Sequence, residues 1–107
     1  MNLNVTFRHL PSSDALREHV KQKAQKVQKY LDDPIDIHAV LEVEKNRQIA
    51  EFQINAKDFR GHAVEESSDM YASIDVAMSK IESQARKFKE KITEHKGIEV
   101  ENNASIA

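Results

Sequence analysis

The chain has no cysteine and no tryptophan, and only two glycines, two prolines, two tyrosines and four phenylalanines. Without cysteine neither a disulfide framework nor a thiolate metal site is possible, which fits a reducing compartment. The two glycines, Gly61 and Gly97, lie too far apart for a phosphate-cradling loop. No G-x-S-x-G nucleophile motif occurs. The opening MNLNVTFRHL has no basic stretch leading into an apolar run, and no segment approaches ~18 apolar residues, so neither a signal peptide nor a membrane span is expected. The five histidines, His9, His19, His38, His62 and His95, form no H-x-x-x-H pair. No metal and no cofactor is expected. Glu42, Glu44 and Glu51 are placed to face one another across a hairpin, but nothing around them would raise a carboxyl pKa. The reading is therefore a protein that is not an enzyme and has no small-molecule substrate.

What is present is charge. In 107 residues, 39% are hydrophobic and 32% charged, with a net charge of −2. That length predicts one domain with a single core. The charge is unevenly spread. Residues 1–31 hold six basic and two acidic residues, a balance of +4; 32–79 hold four and eleven, −7; 80–97 hold six and three, +3; 98–107 hold none and two, −2.

The sign changes where the hydrophobic period changes. Leu3, Val5 and Phe7 alternate with Asn4 and Thr6, which predicts a strand over 2–8. Pro11-Ser12-Ser13-Asp14 predicts a serine-capped helix start, and Leu16, Val20, Ala24, Val27 and Leu31 follow on one helical face. Asp32-Asp33-Pro34 stops that helix. Residues 35–44 alternate, with Ile35, Ile37, Ala39, Leu41 and Val43 opposite Asp36, His38, Val40, Glu42 and Glu44. Residues 49–57 alternate as well, with Ala50, Phe52, Ile54 and Ala56 on the apolar side. Turns are expected at 45–48 and at Asp58-Phe59-Arg60-Gly61, with a weaker strand at 62–67. A last helix over about 69–95 carries Ile74, Met78, Ile81, Ala85, Phe88 and Ile92, with Gly97 as its stop. The predicted class is α+β: β-α-β-β-β-α, a four-stranded sheet with two helices on one face. Residues 1–97 form the domain, and 98–107 a disordered tail. Acids would coat the open sheet face and bases the helices.

At about 100° per residue, Lys80, Lys87 and Lys91 form one stripe of the last helix, with Arg86 and Lys89 on the opposite flank. In the first helix Lys23, Lys26 and Lys29 run down one side, near His19 and Tyr30. Two such helices side by side make a basic surface suited to phosphate backbones. These eight residues are the candidate nucleic-acid contacts. A bland alternative is that they only keep the helices soluble. Tyr30, Phe59 and Tyr71 are the aromatic residues off the core faces and thus the candidates for stacking on bases. An acidic sheet face would repel RNA, so binding is expected on the helical side.

The string Asp69-Met70-Tyr71-Ala72-Ser73-Ile74-Asp75 opens the last helix, with Asp69 or a preceding serine as cap. Asp-Met-Tyr-x-x-Ile-Asp at this place resembles the signature of the ribosome hibernation promoting factors and the related ribosome-associated inhibitors. Further anchors are Asn4-Val5-Thr6, Ala15-Leu16-Arg17-Glu18 with Val20, and Val43-Glu44-Lys45, with weaker support from Lys80-Ile81 and Lys87-x-Lys89-x-Lys91. The similarity spans about residues 1–96. It implies a fold related to double-stranded RNA-binding domains and a cytoplasmic factor of bacterial stationary phase or stress. By the resemblance it binds the small ribosomal subunit, its RNA and proteins, between head and body and occludes messenger RNA and transfer RNA. It implies ribosome contacts for Lys23, Lys26, Lys80, Lys87, Lys89 and Lys91, and a structural role for Asp69, Tyr71 and Asp75. Relatives often carry arginine where this chain has Ser83; Arg86 lies one turn later. The chain resembles the short form, a monomer off the ribosome. The competing class is a non-enzymatic α+β module for an acidic protein or another structured RNA.

Overall fold

The computed structural model describes residues 1–106, with side chains described through Ile92. The order is β1 (Asn2–Arg8), α1 (Asp14–Gln28), β2 (Asp36–Glu44), β3 (Arg47–Ala56), β4 (Phe59–Ser67) and α2 (Met70–Ile106). The strands lie β1-β2-β3-β4; β1 pairs parallel with β2 and the others are antiparallel. A parallel pair needs a crossover, and α1 supplies it. The expected α+β class and element order are those found.

One core joins both layers. Val20, Ala24 and Val27 of α1 and Ile74, Met78, Ile81 and Ala85 of α2 are buried with Ile37, Leu41, Phe52 and Ile54 of the sheet. Both helices therefore cover the same face. Leu3, Val5 and Phe7 are only partly buried, because β1 is an edge strand. Ile92 is 41% exposed, since the apolar stripe of α2 outruns the sheet beneath it.

Local chemistry fixes the ends. Ser13 Oγ accepts from the Leu16 amide at 3.2 Å, which caps α1. Both hairpins turn through two residues, with Glu44 opposite Arg47 and Ala56 opposite Phe59. Lys45 and Asp58 take left-handed backbone there (φ 57° and 59°), doing without glycine what glycine does most easily.

Several expectations are corrected. Phe59, Arg60 and Gly61 belong to β4 rather than to a turn, and Phe59 is 9% exposed, facing the core. It is thus no stacking platform for bases. Gly61 permits close approach of α2: a Cβ there would lie 3.0 Å from Gln84 Oε1 and 3.1 Å from the Phe59 ring. Gln84 instead brackets the β4 edge, accepting from the His62 amide at 3.3 Å and donating to the His62 carbonyl at 3.1 Å. The helix does not stop at Gly97 and passes through 98–106, the segment expected to be a tail. That stretch has no proline, and one glycine inside a helix costs only about 1 kcal/mol. Residue 107 lies outside the described residues.

Candidate nucleic-acid interface

All eight candidate bases sit on the helical layer. Lys26, Lys29, Lys80, Arg86, Lys87, Lys89 and Lys91 are exposed and Lys23 is half-buried. They do not form one continuous face. The α1 side of α2 is marked by Asp75, which reaches His19 and Lys23, and by Lys89, whose Nζ donates to the Lys29 carbonyl at 3.4 Å. The other side is marked by Lys80, whose Nζ meets Glu65 Oε2 of β4 at 2.6 Å. Lys87 and Lys91 share the Lys80 stripe, turned well away from α1. The surface has two basic parts: a groove between the helices, and an outer stripe over the β4 edge.

The groove is not purely basic. A cavity of about 210 Å³ there is lined by Lys23 and Lys26 but also by Asp75, Ser79 and Glu82. Asp75 Oδ1 lies 2.6 Å from His19 Nε2 and 3.5 Å from Lys23 Nζ. An ionised carboxylate only accepts, so Nε2 carries the proton in this bond. Burial pushes the Asp75 carboxyl up, but the His19 hydrogen bond and the charges of His19 and Lys23 outweigh it and bring it below its usual value. The Tyr71 ring meets His19 edge-on, centroids 4.9 Å apart. Thus Asp75 clamps the helices across 56 residues of sequence.

The start of α2 has a second task. Asp69 Oδ2 accepts from the Ala72 amide at 3.1 Å, the expected cap. Ser73, 1% exposed, donates to the Gln48 carbonyl at 2.7 Å and lies 2.7 Å from Ser67 Oγ, pinning the helix start to β3. Sequence reasoning missed Ser73: seven residues before Lys80, it falls on the basic stripe by helical spacing, so no periodic signal announces its burial. Tyr71 is 41% exposed, and among the described residues its hydroxyl has no hydrogen-bond partner.

The open sheet face differs from the acid coat expected of it. Glu42 lies opposite Ile49, Glu44 opposite Arg47, and Glu51 opposite Val40 and Val64, so the three glutamates do not face one another. The two-residue turn sets that register. Arg47 Nε meets Glu66 Oε2 at 2.6 Å, His62 Nε2 meets Glu51 Oε2 at 2.8 Å, and His9 lies 3.7 Å from Glu42. The Arg47 hydrogen bond holds the Glu66 carboxyl below its usual range, and Arg47 is raised in turn. Arg8 and Arg60 add positive charge to the same face.

Among the described residues no three His, Asp or Glu side chains gather to hold a metal ion, and no helix is long and apolar enough to cross a membrane.

The family described as sigma 54 modulation protein / S30EA ribosomal protein matches residues 3–93. The chain is 35% identical over 95 residues to ribosome hibernation promoting factors of Klebsiella oxytoca and Escherichia coli K12, covering 89% of this chain and all of each relative. In structure it is similar to the N-terminal domain of Protein Y from Thermus thermophilus, with a TM-score of 0.77 at 30% identity, covering 82% of this chain and 99% of that one. A ribosomal subunit interface protein from Coxiella burnetii gives a TM-score of 0.74 at 27% identity, with 84% and 99% covered.

Proposed function

Because the chain belongs to the sigma 54 modulation protein / S30EA ribosomal protein family, we propose that it is a ribosome hibernation factor. It binds the small ribosomal subunit through its helical layer and occludes the path of messenger RNA and transfer RNA in stationary phase or stress. It acts in the cytoplasm by occupying space, and catalyses nothing. Residues 1–97 are the binding unit, and 98–107 are dispensable for it.

The observation that carries this reading is the placing of the candidate bases. All eight emerge on the helical layer, and seven are exposed. A chain of net charge −2 is not drawn to RNA by its total charge; it must present a face. Lys26, Lys87 and Lys91 have no carboxylate at ion-pair distance among the described residues, so their charge is free to displace counterions from phosphates.

Co-sedimentation with purified small subunits across a salt series tests it. If about six cations neutralise phosphates, affinity falls on the order of a thousandfold between roughly 50 and 200 mM salt. Lys87→Glu with Lys91→Glu weakens binding strongly and leaves the fold intact. Glu42→Gln with Glu44→Gln changes it little. Binding that ignores the lysine reversals, or shows no salt slope, rules out the basic-layer mechanism.

A further inference from the structure

At the C-terminal end of α1, a second cavity of about 210 Å³ opens between the helices. Tyr30, Phe88 and Ile92 make its apolar walls, and Lys29, Lys89 and Asp32 stand at its rim. The Phe88 ring is backed by Phe59, centroids 5.2 Å apart. Tyr30 is half-buried and packs against the core. Ile92 is 41% exposed, lying where the stripe of α2 outruns the sheet. The Lys29 ammonium lies 5.1 Å from the centre of the Tyr30 ring.

The volume is below the ~300 Å³ at which whole small-molecule sites begin. It has room for a planar ring system, and the charged part of a ligand must stay at the rim. Two ammonium groups there suit a phosphate. The Asp32 carboxylate accepts hydrogen bonds only, and so suits an exocyclic amine. Tyr30 offers a face for stacking once Lys29 leaves it. A cation on an exposed ring is held more weakly than a stacked base, so the exchange is favourable, and the freed ammonium then meets the phosphate. A base inside a duplex has no free face to offer; an unpaired one does.

We propose that this cavity seats one unpaired, amine-bearing nucleobase, with Tyr30 as the stacking residue and Asp32 as the group that selects the amine. The proposal rests on the RNA reading of the helical layer given above, and it adds to the phosphate contacts a contact that reads a base.

The test is a chemical-shift titration of the labelled protein with tetra-adenylate and with an abasic oligomer carrying the same phosphates. The Tyr30 ring and Ile92 methyl signals are expected to move with tetra-adenylate alone, while signals around Lys26 and Lys87 move with both. Tyr30→Leu removes the first response and keeps the second; Tyr30→Phe keeps both, which separates stacking from loss of fold. A tetramer of unsubstituted purine riboside, the same ring without the amine, binds more weakly than tetra-adenylate, and Asp32→Ala levels the two. On small subunits, Tyr30→Leu lowers affinity roughly tenfold at unchanged salt slope, since a stacked base releases no counterion. Equal responses to the abasic and base-bearing oligomers overturn the base seat and leave the basic-layer reading standing. Silence of every helical signal with both oligomers overturns both.

Discussion

On the open sheet face, carboxylates have cross-strand partners: Glu66 meets the Arg47 guanidinium at 2.6 Å, and Glu51 the His62 imidazole at 2.8 Å. On the helical layer, Lys26, Lys87 and Lys91 meet no carboxylate among the described residues. The middle of the chain carries −7 in the sequence, yet Arg47 and Arg60, with Arg8 of β1, offset part of that charge on its sheet face. Residues 1–31 and 80–97 carry smaller balances of +4 and +3, and part of that charge stands unpaired. Cross-strand register settles the field of a face, and the count of charges along a segment does not.

The comparison breaks first if the two layers are parted. Ile81, 0% exposed, holds α2 on the sheet. Ile81→Ala is expected to cost about 2–5 kcal/mol in chemical denaturation. A loss below about 1 kcal/mol would mean that the layers are not joined through this seam. Next is the cap. Asp69→Ala removes the acceptor for the Ala72 amide and should cost ~0.5–2 kcal/mol, while the folded fraction binds small subunits as before. Lost binding at an unchanged melting temperature would make Asp69 a direct contact instead.

Smaller again is the clamp. Hydrogen bonds to charged groups are worth roughly 1.5–3 kcal/mol when shielded. The Asp75 side chain is 46% exposed, so screening reduces this and Asp75→Asn is expected to cost about 1 kcal/mol or less. Because folding lowers the Asp75 carboxyl, its stabilisation is full above the unfolded value of about 3.9 and is lost as pH falls through the folded value. The melting temperatures of the native and Asp75→Asn proteins should therefore converge on acidification below about pH 4. A gap that persists or widens there contradicts the assignment.

The least change in stability is expected from Arg47→Gln, since its pairs are solvent-exposed. The melting temperature should stay where it is. Glu44 and Glu66 become unpaired, however, and low-salt binding to small subunits should weaken slightly if that face borders RNA. An unchanged affinity would place the open face away from the RNA.

Much of the fold was legible because it is local. Alternation gave the strands, Ser13 and Asp69 gave two helix starts, and spacing gave both apolar stripes. Phe59 misled because Asp58 and Gly61 are turn-forming types on either side of it; only the pairing of Ala56 with Phe59 shows that the turn has closed already. The eight bases were legible as residues but not as two groups, since helical spacing says which lysines share a stripe and not which flank α1 will cover. The His19–Asp75 clamp joins residues 56 apart, and no local pattern announces it. Asp75 was marked through resemblance, and its partner had to come from the structure.

Gln84 has a consequence beyond the packing of α2. β4 is the last strand of the sheet, and its outward backbone groups are a template onto which another chain could add as a further strand. At His62 both groups are already taken by the Gln84 carboxamide. An incoming strand meets an occupied position midway along the edge, and its ladder is interrupted there. One glutamine thus closes this edge to strand addition by a second copy at the position it occupies.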